Sequence, residues 1–408
     1  MIKSPHKGGT MTKPMTSRER LRRAIACEPA DYVPCCFMSF AAMRGRCYDP
    51  YEQALREQEM GLDPMLFVPI APRGERPHHP DLRGLPVRPS PEVRISLWEE
   101  DTPDPRGPIF HKVYHTPAGD LSTRVVRTVD WPHGPMIPIV DDYQVPRALK
   151  PLVTGPQDLE PLRFMLQPPT PAEIARFRQE MVTNRAFVEA HGALLAGGWG
   201  VGADMVGWLC GLEAMPLLAI DQPEFLQDLL TLIGEWNRTR MRVILEEGVD
   251  LYIRRGWYES TDFWSPRLYA RYLLPGLREE VALAHEYGTP FGYIMTTGAL
   301  PLMDHLLEAG VDVLIGVDPL QRGPSPLATL RDRFDGRICL WGGVNGAITV
   351  EEGTPEEVRR AVIEALETMR GVPGFILSPV DNITRITRRT WENLAVFIEA
   401  WKAHRGGQ

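Results

Sequence analysis

The chain has 408 residues, 43% of them apolar and 24% charged. That balance belongs to a soluble globular protein large enough for one large domain or two ordinary ones. A net charge of −8 argues against a nucleic-acid partner, which favours a basic face, and no apolar run approaches the roughly 20 residues that span a bilayer. The six cysteines (Cys27, Cys35, Cys36, Cys47, Cys210 and Cys339) form no Cys-x-x-Cys pair. They read as reduced thiols of a cytoplasmic protein, not as a disulfide framework.

Residues 1–15 are polar and lack the apolar core of a signal peptide, so they read as a disordered leader. Thr16 or Ser17 is the expected cap of a first helix over Ser17–Cys27. A turn at Glu28–Asp31 leads to an apolar strand over Tyr32–Phe40, and a second strand is expected at Met65–Ile70. Between Ala71 and Val153 the helical period vanishes and Pro, Gly and charge become dense. Within that stretch, PIFHKVYHTPAGDLSTRVVRTVD alternates apolar and polar residues around Pro117-Ala118-Gly119-Asp120, the pattern of a hairpin. Residues 71–153 are therefore expected to form an inserted β-rich lobe over one mouth of the main domain. Trp131-Pro132-His133-Gly134 and Asp141-Asp142-Tyr143 are its most distinctive residues, read either as a short lid or as a rigid loop.

Beyond Gly155 strands and helices alternate. Strands are expected at Ala193–Gly198, Asp250–Arg254, Pro290–Ile294, Val311–Gly316, Ile338–Trp341 and Phe375–Ser378. The helices include Gln222–Glu246, Pro266–Tyr287, Leu300–Ala309 and Thr354–Thr368. Such alternation implies a parallel sheet. With the two N-terminal strands the count is about eight, which predicts an α/β (β/α)8 TIM barrel as a single domain over residues 16–408. An open doubly wound sheet is the alternative, but it wants a Gly-rich dinucleotide fingerprint after its first strand, and Val33–Gly45 carries none. Gly197–Gly202, GGWGVG, departs from the G-x-G-x-x-G spacing and reads as a tight turn after a strand.

Four segments together resemble the uroporphyrinogen decarboxylase superfamily. They are Thr16–Leu21 with Ala24–Pro34, Phe263–Pro266 through Leu274-Pro275, Leu307–Asp312, and Leu340–Val344 with Gly353–Val358. The same residues have a plain physical reading: Thr354-Pro355-Glu356-Glu357 is a helix cap with acids on the first turn, and Gly342-Gly343 lets a strand turn sharply into its loop. The resemblance implies the barrel but not one activity. The decarboxylases themselves carry an Arg-rich motif after the first strand. Here that segment is Phe37–Arg46, with only Arg44 and Arg46. A methyltransferase branch, resembling methylcobalamin-dependent enzymes, places a zinc-binding His-x-Cys pair and a second Cys where this chain has Met295, Thr297 and Asp381. Thioether and alcohol are poor zinc ligands, so no metal site of that pattern is expected.

What the resemblance then implies is the other half of such a system. A methyl group would pass from a small methylated donor, for example a methoxylated aromatic, to a corrinoid carried by a partner protein. A homodimer is compatible with this reading. Active sites of the barrel fold lie at the C-terminal ends of the strands. Glu259 and Tyr258 are candidate general acids, and Asp381 could hold a cation or a substrate hydroxyl. Arg254, Arg255, Trp257, Thr296, Thr297, Asp318, Trp341, Asn345 and Asn382 are candidate substrate-binding residues, with Trp264 a further candidate wall. An ion pair of Glu259 with Arg254 or Arg255 at the barrel rim, and Asp318 as a loop cap, are the structural readings of the same residues. His191, His285 and His305 read as surface histidines; His78, His79, His111, His115 and His133 could reach over the mouth from the lobe. Decarboxylation of a tetrapyrrole or another carboxylated substrate, and a non-catalytic ligand-binding barrel, are the competing functions.

Overall fold

A computed structural model describes residues 14–44, 46–47, 49–70, 89–100, 105–141, 144–320 and 326–406. Most of the expected leader, together with His78, His79, Asp142, Tyr143 and the side chain of Arg44, lies outside the described residues.

The strands in chain order are β1 Met65–Val68, β2 Arg94–Glu100, β3 Ile109–Thr116, β4 Gly119–Val126, β5 Ala148–Lys150, β6 Leu194–Gly200, β7 Leu251–Arg255, β8 Phe291–Ile294, β9 Val313–Val317, β10 Cys339–Asn345 and β11 Phe375–Val380. Seven of them form one parallel sheet in the order β1-β6-β7-β8-β9-β10-β11. From β6 onward spatial neighbours follow each other in sequence with helices between, the arrangement of a curled, TIM-like α/β sheet.

The expected strand at Tyr32–Phe40 is reduced to a single parallel bridge between Cys35 and Leu377 of β11. Pro34 supplies no N–H, so only its carbonyl takes part, accepting from Leu377 N at 2.9 Å. On its other side Cys35 is held by Asp63, through Asp63 N to Cys35 O at 2.8 Å and Cys35 N to Asp63 Oδ2 at 3.0 Å. This segment therefore bridges the β11 edge to the chain that enters β1.

The interior is built from alternate strand residues. Leu194 and Ala196, Leu251 and Ile253, Val313 and Ile315, and Cys339 and Trp341 share one buried cluster with Leu21, Ala24 and Ile25. The period of two sends these residues inward and their neighbours toward the outer helices. The helix Ser17–Ile25 thus closes the end where the strands begin. Its capping box at Thr16 and Glu19 fixes its start, and Arg18 Nε reaches Asp250 Oδ2, just before β7, at 2.7 Å.

Local departures from regular geometry include one in a helix and one in a strand. The expected helix Pro266–Tyr287 is continuous, but it widens into a π turn at Tyr269–Leu273 before continuing as Leu274–Glu286. Pro275 lacks the N–H that would return to Arg271, which favours that widening. Gly342 and Gly343 both take positive φ where the β10 register shifts against β9. A Cβ on Gly342 would come within 2.7 Å of the Val317 backbone, so no side chain fits there.

The described residues of the expected lobe form an antiparallel sheet in the order β2-β3-β4-β5. The β3–β4 hairpin turns at Pro117-Ala118 with Thr116 opposite Gly119, as the alternation predicts. Phe110, Val125, Trp131 and Ile137 make a small core of the lobe, while Tyr114 and Leu121 join the main core.

Candidate active site at the strand ends

A cavity of about 600 Å³ opens where the parallel strands end. Its apolar wall comes from Met38, Phe67, Trp199, Trp208, Trp257 and Phe263, and its polar groups from Asp141, Asp204, Tyr258, Asp262, Thr296, Thr297, Asp381 and Asn382. Phe67 meets Trp199 edge to face at 5.1 Å, and Trp199 meets Trp257 at 5.8 Å. Three rings thus stand in a row at steep angles to one another. Among the described residues that line the cavity there is no Lys, Arg or His.

Trp199 and Asp381 both take positive φ although neither is glycine. Such residues persist only where the surroundings over-determine them, and they gather at functional sites. For Trp199 the cause is local: Gly198 precedes it at φ 129° and β6 loses register against β7 between Gly198 and Gly200. The glycine run read as a turn is therefore a bulge within the strand, placing the indole at the cavity wall.

Asp204 is the group that sequence reasoning missed. It opens the helix Ala203–Cys210, is 1% exposed, and accepts hydrogen bonds from Tyr258 N at 2.8 Å and Trp257 N at 3.3 Å. Burial pushes its carboxyl up to about 6; the positive Arg255 opposes the shift and the negative Glu259 adds to it. Trp208 lies four residues on, one helical turn away, and lines the same cavity. That spacing after a strand end was the available signal.

Glu259 does not line the cavity, which corrects the expectation of a general acid there. It is fully buried and accepts from Arg254 Nη1 at 2.6 Å, Arg254 Nη2 at 3.0 Å, Ala203 N at 2.6 Å and the Tyr293 hydroxyl. Four donors leave it committed to structure. Arg254 likewise serves this network, with its Nε 2.6 Å from Glu280 Oε2, rather than a substrate. The network ends one residue from Asp204, so Glu259 positions that carboxyl through the Ala203 amide.

Other expectations divide in the same way. Tyr258, Trp257, Thr296, Thr297, Asp381 and Asn382 reach the cavity. Thr297 Oγ1 donates to Asp262 Oδ2, and Asn382 Oδ1 accepts from Ala41 N at 2.8 Å. Burial, and after it the charge of Asp318, raises the Asp381 carboxyl above its ordinary range. Burial and the Asp204 charge likewise raise the Tyr258 phenol. Trp341 and Trp264 are packed inside instead, their indole N–H groups donating to Cys36 O and Tyr258 O, each at 2.9 Å. Asp318 and Asn345 bind each other at 2.9 Å and cap the Leu320 and Ile348 amides, so they hold loops together away from the cavity wall. Arg255 sits behind that wall, donating from Nη1 to Asp141 O at 2.9 Å, with its guanidinium 5.6 Å from the Trp257 ring. His133 is buried in the lobe, its Nδ1 3.2 Å from Asp141 Oδ2.

Residues 141–404, well over half of the chain, match the uroporphyrinogen decarboxylase (URO-D) family. The chain belongs to this family. No curated protein matches the sequence. Among solved structures, a methyltransferase from Methanosarcina mazei is similar over 95% of this chain and 99% of its own, at 16% identity and a TM-score of 0.60, a likeness of fold. A B12-independent methionine synthase from Shewanella sp. W3-18-1 overlaps 90% of this chain and 96% of its own, at 9% identity and a TM-score of 0.42. Met295 and Thr297, expected from the resemblance at the zinc-ligand positions, are respectively fully buried in the core and engaged with Asp262. Among the described residues no three or more His, Cys, Asp or Glu converge as metal ligands.

Proposed function

We propose that this URO-D family member is a methyltransferase, taking a methyl group from a small methylated donor bound in the cavity and passing it to a corrinoid carried by a partner protein. We read the Pro34–Cys36 segment as the eighth stave of a (β/α)8 barrel whose open mouth receives that partner. The observation that carries the reading is the lining itself. Aromatic rings and carboxylates suit a small donor held by its apolar methyl-bearing end. A tetrapyrrole with many carboxylates would need several converging arginines, and the described lining has four aspartates instead.

In methyl transfer the corrinoid supplies the electron pair of the new bond, and the pair of the broken bond stays with the donor's heteroatom. The residues of this chain bind, orient and exclude water. The aromatic row fixes the donor, and reactant alignment of this kind contributes much of the rate of a two-substrate reaction. Asp204, with its carboxyl near 6, can supply a proton to a leaving oxygen, and Asp381 or Tyr258 could share that role. A leaving nitrogen that already carries positive charge needs none.

The test is to incubate the protein and a Co(I) corrinoid protein with ¹³C-methyl donors and follow the label by NMR, with CO₂ release from carboxylated porphyrinogens measured in parallel. Label arriving on the corrinoid is the expected outcome. Release of CO₂ without movement of label would replace this reading with decarboxylation.

A further inference from the structure

The cavity has two chemical characters at once. Phe67, Trp199 and Trp257 line it with rings inclined at 81° and 72° to their neighbours, so the ring planes run in more than one direction, and the Trp257 ring already holds one cation, the Arg255 guanidinium, 5.6 Å from its centroid. Each face carries the negative part of a ring quadrupole and attracts a cation within about 6 Å of its centroid. Asp204, Asp262 and Asp381 line the same space. A neutral methoxyarene would satisfy the rings but bring no positive charge to the carboxylates that face it. An anion would be repelled by both. A methylated ammonium satisfies both, because its methyl groups pack on the rings and its charge faces the carboxylates.

We propose that the donor is a quaternary or tertiary methylammonium compound, held by cation–π contact with Phe67, Trp199 and Trp257 and by the negative field of Asp204, Asp262 and Asp381. As a donor assignment this rests on the methyl-transfer reading; as a binding assignment it stands on the cavity alone. The transfer balances without a proton. The C–N bond of the ammonium breaks, its electron pair stays on nitrogen as a neutral amine (tertiary from a quaternary donor, secondary from a tertiary one), and the methyl group forms its new bond with the pair supplied by the Co(I) acceptor.

The binding test uses isothermal titration calorimetry of the full chain with choline and with 3,3-dimethylbutan-1-ol, its uncharged carbon isostere of nearly the same shape. Choline is expected to bind about 30-fold more tightly, the size of a desolvated cation–π contribution. Trp257→Leu is expected to remove at least about tenfold of that preference, and Trp257→Phe to restore most of it, with thermal melts showing both variants folded. Equal affinity for the two ligands, or a folded Trp257→Leu that keeps the full preference, overturns the proposal. Separate methyl-transfer assays distinguish the two claims. Choline selectivity without transfer to a Co(I) corrinoid protein removes the methyltransferase reading and leaves the ligand class. Transfer from methoxyarenes with no selectivity for ammonium removes the ligand class and leaves the methyltransferase.

Discussion

Glu259 and Asp204 lie in one buried network, yet only one of them faces the cavity. Sequence position favoured Glu259 because it follows a strand end, and the pairing with Arg254 five residues earlier was visible as an alternative. Asp204 was obscured because it follows a glycine run whose bulge is a tertiary feature, set by the fit of β6 against β7. Glu259→Gln keeps the shape but strips the charge opposite Arg254, and breaking such a pair from one side costs about 3–5 kcal/mol. Chemical denaturation should show that loss, moderated by the Glu280 partner that Arg254 retains. A Glu259→Gln protein of native stability that has lost all turnover would restore a catalytic role. The Asp204 carboxyl, raised to about 6 by burial, with Arg255, Arg254 and Glu259 around it and Tyr258 beside it, sets a pH dependence. It is ionised above that value and neutral below it, so affinity for a cationic ligand should rise as pH rises through about 6. Titration calorimetry of choline between about pH 5 and pH 8 reads this directly; a flat profile would dissociate Asp204 from the ligand.

At the scale of elements, what lay in short-range pattern was legible. The helix after Thr354 begins with the expected cap and N1 proline, and Glu357 completes a capping box there, while the β3–β4 hairpin turns where alternation broke. The strand expected over Tyr32–Phe40 shrank to one bridge because a run of apolar residues records burial, while pairing depends on a neighbour and on donors that Pro34 lacks. Gly202 shows a constraint no local rule reveals. Its backbone passes so close to the ion pair that a Cβ would lie 1.7 Å from Arg254 Nη2 and 2.4 Å from Glu259 Oε1. Both atoms are held in the buried network and have little room to yield. Gly202→Ala should therefore cost about 1–3 kcal/mol, as overpacking does, and also displace Asp204 two residues on. Denaturant midpoints measure the first effect and weakened choline binding the second; an alanine variant as stable as the parent would show the network to be loose.

Over the whole molecule the parallel sheet, its helices and its family were readable from residue order, because strand–helix alternation carries the topology. The site was half readable. Tyr258, Trp257, Thr296, Thr297, Asp381 and Asn382 sit at strand ends and do reach the cavity, whereas Phe67, Trp199, Trp208 and Asp204 meet there only through folding. Asp141 arrives from the connection between β4 and β5 of the antiparallel sheet and is tied to β7 through Arg255, so lobe and sheet build the cavity together. The proposal of methyl transfer over decarboxylation rests on the charge of the lining, four aspartates among its described residues. The most direct measurement is the visible spectrum of a Co(I) corrinoid protein mixed with this protein and a trimethylammonium donor. The account predicts conversion to the methyl-Co(III) spectrum at a rate that saturates with donor and falls at least about tenfold in a folded Trp257→Leu variant. A spectrum that stays Co(I) with every methylated donor, while the same protein releases CO₂ from a carboxylated substrate, would contradict it.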